Sequence, residues 1–85
     1  MRILVVEDEP ELNDVIVKKL KVEQYSVDSC EDGEAALEYI RGAEYDAVLL
    51  DIMLPKLSGL EVLKRLRREK NKTPVLLLTA RDSIE

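Results

Sequence analysis

Three short apolar runs, none interrupted by a polar residue, constrain the fold of this 85-residue chain most strongly. They are Ile3–Val6, Ala47–Leu50 and Val75–Leu78. A run without polar alternation is typical of a strand buried on both faces, as in a parallel sheet. The segments between the runs carry helical patterns, and such alternation implies an α/β fold with right-handed crossovers.

The segments between the runs carry the start signals of helices. Pro10 and the acids around it mark the start of a first helix, and Ser58 with Glu61 matches a capping box that opens a third. A second helix is predicted over residues 34–41, and a further strand, at a sheet edge, over Ser26–Cys30. The predicted order is βαβαβαβ. The predicted apolar faces are Leu12, Val15, Ile16 and Leu20 in the first helix, Ala36, Leu37 and Ile40 in the second, and Val62, Leu63 and Leu66 in the third.

Composition excludes several classes of protein. The net charge of −5 argues against nucleic-acid binding by these residues. No histidine is present, which removes histidine-dependent triads and histidine-ligated zinc. The single cysteine, Cys30, cannot form an internal disulfide and favours a reducing cytoplasm. The apolar runs are far shorter than the roughly 20 residues that span a membrane, and the start is not typical of a signal peptide.

Polar side chains follow three of the predicted strands. In chain order, Glu7 and Asp8 follow the first strand, Asp51 the third and Thr79 the fourth. Sites in open parallel sheets form outside the carboxyl ends of the strands, so the three carboxylates are expected to meet there. Converging carboxylates repel each other, and Mg²⁺ resolves this because it prefers oxygen ligands and leaves room for a phosphate oxygen. The pattern predicts a Mg²⁺ site for phosphoryl chemistry, with Asp51 as nucleophile and Thr79 as a donor to a phosphoryl oxygen.

Three separated segments resemble one family. They are Leu4–Glu9, Leu49–Pro55 with Gly59 after it, and Pro74–Ala80. Together they look like the receiver domain of a two-component response regulator, most similar to its OmpR/PhoB-like branch. The resemblance covers the whole chain and implies a flavodoxin-like (CheY-like) parallel sheet.

The resemblance implies a role for each site residue. Asp51 would accept a phosphoryl group from a sensor histidine kinase and drive a conformational switch, so the chain would not be a turnover enzyme. Thr79 would be the switch hydroxyl, and Ala80 the small residue that leaves room for the phosphoryl group. Contact with DNA would need an output domain, and no membrane contact is implied. The implied Mg²⁺ ligands are Glu7, Asp8, Asp51 and the backbone carbonyl of Met53.

The chain is shorter than the family's pattern. It stops at Glu85, before the final helix, strand and helix, and before the lysine that ends the family's fifth strand. Lys56 and Lys72 do not occupy that position. We therefore expect residues 1–85 to be the N-terminal two-thirds of a receiver domain, incomplete after the fourth strand. Another copy of the chain, or the missing C-terminal part, would then cover the open edge of that strand.

Other interpretations of the same residues stay open. The chain could be a self-associating structural or interaction module without phospho-switch activity. The acids after the first strand could serve only the dipole of a helix start, and Thr79 with Asp82 also fits a helix N-cap. A third interpretation is an aspartate-nucleophile phosphohydrolase. Such enzymes usually carry a second aspartate two residues after the nucleophile, where this chain has Met53.

Overall fold

The computed structural model describes residues 1–78, in which strands and helices alternate along the chain. All strand pairs are parallel, and the order across the sheet is β2-β1-β3-β4. The predicted α/β class, element order and edge position of the second strand are therefore confirmed. No helix in this part of the chain combines the length and apolarity needed to cross a bilayer. The elements are β1 (Arg2–Val6), α1 (Pro10–Val22), β2 (Ser26–Cys30), α2 (Gly33–Gly42), β3 (Ala47–Asp51), α3 (Gly59–Arg68) and β4 (Val75–Leu78).

Strand β1 lies in the middle of the sheet and is buried on both faces, as its unbroken apolar run predicts. All four residues from Ile3 to Val6 are buried. In the register, Val6 lies beside Cys30 of β2 on one side and beside Leu50 of β3 on the other. The carboxyl ends of β1, β2 and β3 are therefore aligned, and the residues that follow β1 lie next to the last residue of β3.

The main core lies between the sheet and helices α2 and α3. Strands β1 and β3 contribute Leu4, Val6, Val48 and Leu50, and the helices contribute Ala36, Leu37, Ile40, Val62 and Leu66, all of which are buried. The predicted apolar face of α2 is confirmed in full. In α3, Val62 and Leu66 are buried and Leu63 is half-buried.

Helix α1 covers the opposite face of the sheet, over β1 and β2, and its orientation differs from the prediction. Val15 was expected to face the sheet, but 62% of its surface is exposed. The buried residue is instead Asn13. Successive helical residues are turned by about 100°, so Val15, two positions on, points away when Asn13 faces the sheet. Ile16 and Leu20, three and seven positions after Asn13, are half-buried on its side.

Helices α2 and α3 begin at side-chain caps. Asp32 Oδ1 accepts a hydrogen bond from the Ala35 amide at 2.8 Å, and Ser58 Oγ accepts one from the Glu61 amide at 3.2 Å. One of the two hydrogen bonds of the predicted capping box, from the Glu61 amide to the Ser58 side chain, is therefore present. The Glu61 carboxylate pairs with Arg65 one turn later, at 3.2 Å, which supports the exposed face of α3.

Candidate functional site

Three carboxylates meet at the carboxyl end of the sheet. Glu7 and Asp8 come directly after β1, and Asp51 is the last residue of β3. Because Val6 stands beside Leu50, Glu7 is brought beside Asp51. One oxygen from each of the three carboxylates lies within 4.8 Å of the others. The structure thus brings together the three acids that the strand-end pattern singled out.

The burial of this cluster fits a hard divalent cation. Glu7 and Asp51 are each 1% exposed, and Asp8 is half-buried. Within residues 1–78, the buried Oδ1 of Asp8 has no hydrogen-bond partner. A buried polar oxygen without a partner is costly, and converging negative charges add repulsion. An ion such as Mg²⁺, which takes oxygen ligands from one or two carboxylates and keeps several waters, would remove both costs.

Main-chain amides orient two of the three carboxylates. The Glu9 amide donates to Glu7 Oε2 at 3.0 Å, and the Met53 amide donates to Asp51 Oδ1 at 3.3 Å. Each donor lies two residues after the acid that it holds. The chain therefore turns sharply after β1 and after β3, and both turns fold back onto the acidic cluster. The Met53 side chain itself points outward and is exposed.

Gly59 allows α3 to begin directly beneath the end of β3. Its amide donates to the Ile52 carbonyl at 2.9 Å. A Cβ atom at this position would lie 2.2 Å from the carbonyl oxygen of Asp51, which no real Cβ tolerates. The absence of a side chain at Gly59 therefore fixes where Asp51 stands relative to α3.

A groove opens beside the acidic cluster. The groove has a volume of about 690 Å³, and Asp8 is one of the residues that line it. Its wall is mostly apolar and comes from the loop between β3 and α3. The remaining lining residues are Ile52, Met53, Leu54, Pro55 and Ser58. Of the three carboxylates, Asp8 is the one that lines this groove.

Neither lysine that the sequence analysis set aside lies in the cluster. Lys56 Nζ is 3.8 Å from Asp32 Oδ2, at the start of α2. Lys72 lines a separate cavity of about 520 Å³ near the amino ends of β3 and β4. The predicted switch residues Thr79 and Ala80 lie outside the described residues.

Two further buried residues lie near the cluster, Cys30 and Asn13. Cys30 is a free cysteine, buried at the end of β2. Burial, reinforced by Asp32 and Glu31, raises the pKa of its thiol to about 12, so the thiolate is scarce near neutral pH. Asn13 was missed altogether. The sequence offered one signal for it: the side-chain amide of Asn13 lies within two residues of positions predicted on the apolar face of α1.

Comparison with known proteins identifies the family. Residues 3–85 match the model of the response regulator receiver domain. The chain is 49% identical over 84 residues to the transcriptional regulatory protein TcrA of Mycobacterium tuberculosis, covering 99% of the chain and 33% of that protein. It is 54% identical over 81 residues to the transcriptional regulatory protein DltR of Streptococcus agalactiae, covering 95% and 36%. The chain thus spans about a third of the length of these curated relatives.

Solved structures give the same result. The Francisella response regulator 1452 receiver domain superposes with a TM-score of 0.92 at 34% identity, over 98% of this chain and 69% of that one. The response regulator TrrA of Thermotoga maritima, solved in complex with Mg²⁺-BeF, gives a TM-score of 0.88 at 43% identity, over 96% and 71%. These matches confirm the flavodoxin-like, CheY-like topology. The chain belongs to the response regulator receiver domain family of two-component signalling.

Proposed function

We propose that this chain accepts a phosphoryl group on Asp51 in a Mg²⁺-dependent reaction. The observation that carries the proposal is the cluster of three carboxylates with oxygens within 4.8 Å of one another. The buried Oδ1 of Asp8 supports it, because this atom has no hydrogen-bond partner among residues 1–78 and a cation would supply one. A relative of known structure, TrrA, has been solved with Mg²⁺-BeF.

The three acids share one role in the proposed reaction, and Asp51 has a second. Glu7, Asp8 and Asp51, with the backbone carbonyl of Met53, would hold the ion. Mg²⁺, when bound, would neutralise charge on the phosphoryl oxygens. Asp51 attacks phosphorus, so that a carboxylate O–P bond forms while the bond from phosphorus to the donor breaks. The Met53 amide holds the Asp51 carboxylate in one orientation for this attack.

The resemblance to the family also gives Thr79 and Ala80 roles in the proposed switch. Thr79 would move its hydroxyl toward the phosphoryl group, and Ala80 would leave room for it. The acyl phosphate would then shift a conformational equilibrium that an output domain or partner detects. The chain would catalyse at most its own phosphorylation and dephosphorylation.

The partners follow from the relatives. TrrA has also been solved in complex with the histidine kinase ThkA, at 44% identity to this chain, and we propose a sensor histidine kinase as the phosphoryl donor here. Several relatives are transcriptional regulatory proteins, so DNA contact is proposed to occur only through an output domain. A cytoplasmic location is in keeping with the free thiol of Cys30.

The exposed surface of β4 favours a second candidate function, a self-associating module. Strand β4 is the outer strand of the described sheet, and Leu76 in it is 60% exposed. Exposed, flat apolar edges promote pairing with another chain. We propose that residues 1–85 correspond to the N-terminal two-thirds of the receiver fold. A C-terminal part or a second copy would cover β4. This candidate differs from the first because it needs no chemistry at Asp51.

Replacing Asp8 tests the metal site. Asp8→Asn removes one negative charge from the cluster, and we expect it to weaken Mg²⁺ binding by at least about tenfold. The measurement is isothermal titration of the protein with MgCl₂. The matched control is Asp14→Asn, which makes the same change at an exposed position whose carboxylate pairs with Lys18 on the surface of α1. If Asp8→Asn binds Mg²⁺ as tightly as wild type, the proposed site is wrong. If Asp14→Asn loses as much affinity as Asp8→Asn, the loss reflects the net charge of the protein and not a ligand role of Asp8.

A further inference from the structure

Asn13 is a buried polar residue on a helix face that is otherwise apolar. It lies near the start of α1 and is 7% exposed. Its neighbours on the same face, Ile16 and Leu20, are apolar and half-buried. An apolar residue would suit this position by burial alone. A buried amide persists only where its hydrogen bonds are made, so its partners indicate what it does.

Both amide protons of Asn13 bind carbonyls at the ends of strands. The Nδ2 atom donates to the Glu7 carbonyl at 2.9 Å and to the Cys30 carbonyl at 3.2 Å. The NH₂ group has two protons, and both are used. The reverse orientation of the amide would set its oxygen against two carbonyl oxygens, which fixes the assignment. Asn13 therefore joins α1 to the first carbonyl after β1 and to the last carbonyl of β2.

The main chain of Asn13 completes a loop of hydrogen bonds around Asp8. The Asn13 amide donates to the Glu9 carbonyl at 2.9 Å, and the Glu9 amide donates to Glu7 Oε2 at 3.0 Å. The segment Glu7–Glu9 is thus tied to Asn13 at both of its ends. Asp8 lies in the middle of this segment, with its side chain in the acidic cluster.

We infer that Asn13 is a positioning residue for the metal ligands Glu7 and Asp8, an inference that rests on the proposed function. Asn13 does not touch the ion. It fixes the peptide that joins the two acids, and the peptide fixes where their carboxylates stand. Loss of the Asn13 side-chain amide would leave the turn after β1 less ordered in the ion-free protein. Ordering that turn when Mg²⁺ binds would cost free energy and so lower the affinity.

The test compares Mg²⁺ affinity with stability in matched variants. Asn13→Ala removes both side-chain donors, and Asn13→Thr keeps one donor and most of the volume in case the alanine variant does not fold. Leu20→Ala is the control, because it destabilises the same face of α1 far from the cluster. Affinity is measured by calorimetry, and the Mg²⁺-induced shifts of the Asp8 and Met53 amides are measured by NMR. The melting temperature without Mg²⁺ reports stability.

We expect Asn13→Ala to weaken Mg²⁺ binding on the order of tenfold, the low end of the effect of groups that hold metal ligands in place. Asn13→Thr should fall between Asn13→Ala and wild type. Leu20→Ala should keep wild-type affinity within about twofold, since it leaves every cluster contact intact. Unchanged affinity in Asn13→Thr and Asn13→Ala would overturn the inference, as would an equal loss in Leu20→Ala.

The outcome separates this inference from the proposed function. If wild type binds Mg²⁺ through Asp8 and Asp51 but the Asn13 variants bind equally well, only the positioning role fails. If wild type itself shows no binding that depends on these acids, the proposed function fails and the positioning role fails with it.

Discussion

Asp51→Asn is expected to abolish phosphorylation of the chain. An amide cannot replace the carboxylate that attacks phosphorus, and the substitution also removes one negative charge from the metal cluster. The wild-type protein, incubated with Mg²⁺ and acetyl phosphate, should gain the mass of one phosphoryl group by intact-protein mass spectrometry. That group should be lost on treatment with hydroxylamine, which cleaves acyl phosphates. Asp51→Asn should gain nothing under the same conditions.

The matched control for this experiment lies near the other end of β3. Asp46 is exposed and comes just before the strand, with Oδ2 accepting from the Arg2 amide at 2.7 Å. Asp46→Asn makes the same chemical change far from the cluster, and it should be phosphorylated like wild type. Phosphorylation of Asp51→Asn at the wild-type level would place the acceptor on another residue.

Gly59→Ala is expected to destabilise the chain strongly. The new Cβ would lie 2.2 Å from the Asp51 carbonyl oxygen and 3.0 Å from the Asp51 carbonyl carbon, which are rigid backbone atoms. The start of α3 or the end of β3 must therefore move. Overpacking of this kind costs about 3 kcal/mol at the upper end of its usual range. In a domain of this size that corresponds to a fall in melting temperature of more than about 10 °C, measurable by circular dichroism.

Gly42→Ala is the matched control for Gly59→Ala. Gly42 is the last residue of α2, and a Cβ there would meet nothing within 4 Å. The same substitution should therefore be neutral or stabilise the chain by up to about 1 kcal/mol, because alanine loses less entropy in a helix. Equal melting temperatures for Gly59→Ala and Gly42→Ala would show that α3 and β3 are not as closely packed as the structure indicates.

The fold followed from the sequence because its strongest signals are local. The unbroken runs at β1, β3 and β4 predict parallel strands, and each strand lies where it was expected. The predicted burial on both faces holds for β1 but not for β4, which lies at the edge of the described sheet and carries the exposed Leu76. The orientation of α1 could not be obtained in this way. Apolar spacing alone allows Val15 to face the sheet, but the hydrogen bonds of Asn13 to two strand ends turn the helix so that Val15 is exposed. One partner, Cys30, is 17 residues away in sequence and comes next to Asn13 only in the folded chain.

The acidic cluster was predictable for a related reason. Parallel strands end at the same edge, so acids at the ends of β1 and β3 must approach each other once the strands are neighbours. The turns that orient Glu7 and Asp51 through the amides of Glu9 and Met53 depend on backbone geometry, which the sequence does not specify. The roles of Thr79 and Ala80 stay predictions from the resemblance.

The central claim is that Asp51, in a cluster with Glu7 and Asp8, accepts a phosphoryl group in the presence of Mg²⁺. Titration with Mg²⁺ and then with beryllium fluoride, which mimics a phosphoryl group, tests this most directly. The readout is the NMR shift of the Met53 amide, which donates to Asp51 Oδ1. We predict a saturable shift with Mg²⁺ and a further one with beryllium fluoride in wild type, and no beryllium fluoride response in Asp51→Asn. A beryllium fluoride response of equal size in Asp51→Asn, or none in Mg²⁺-saturated wild type, would contradict the claim.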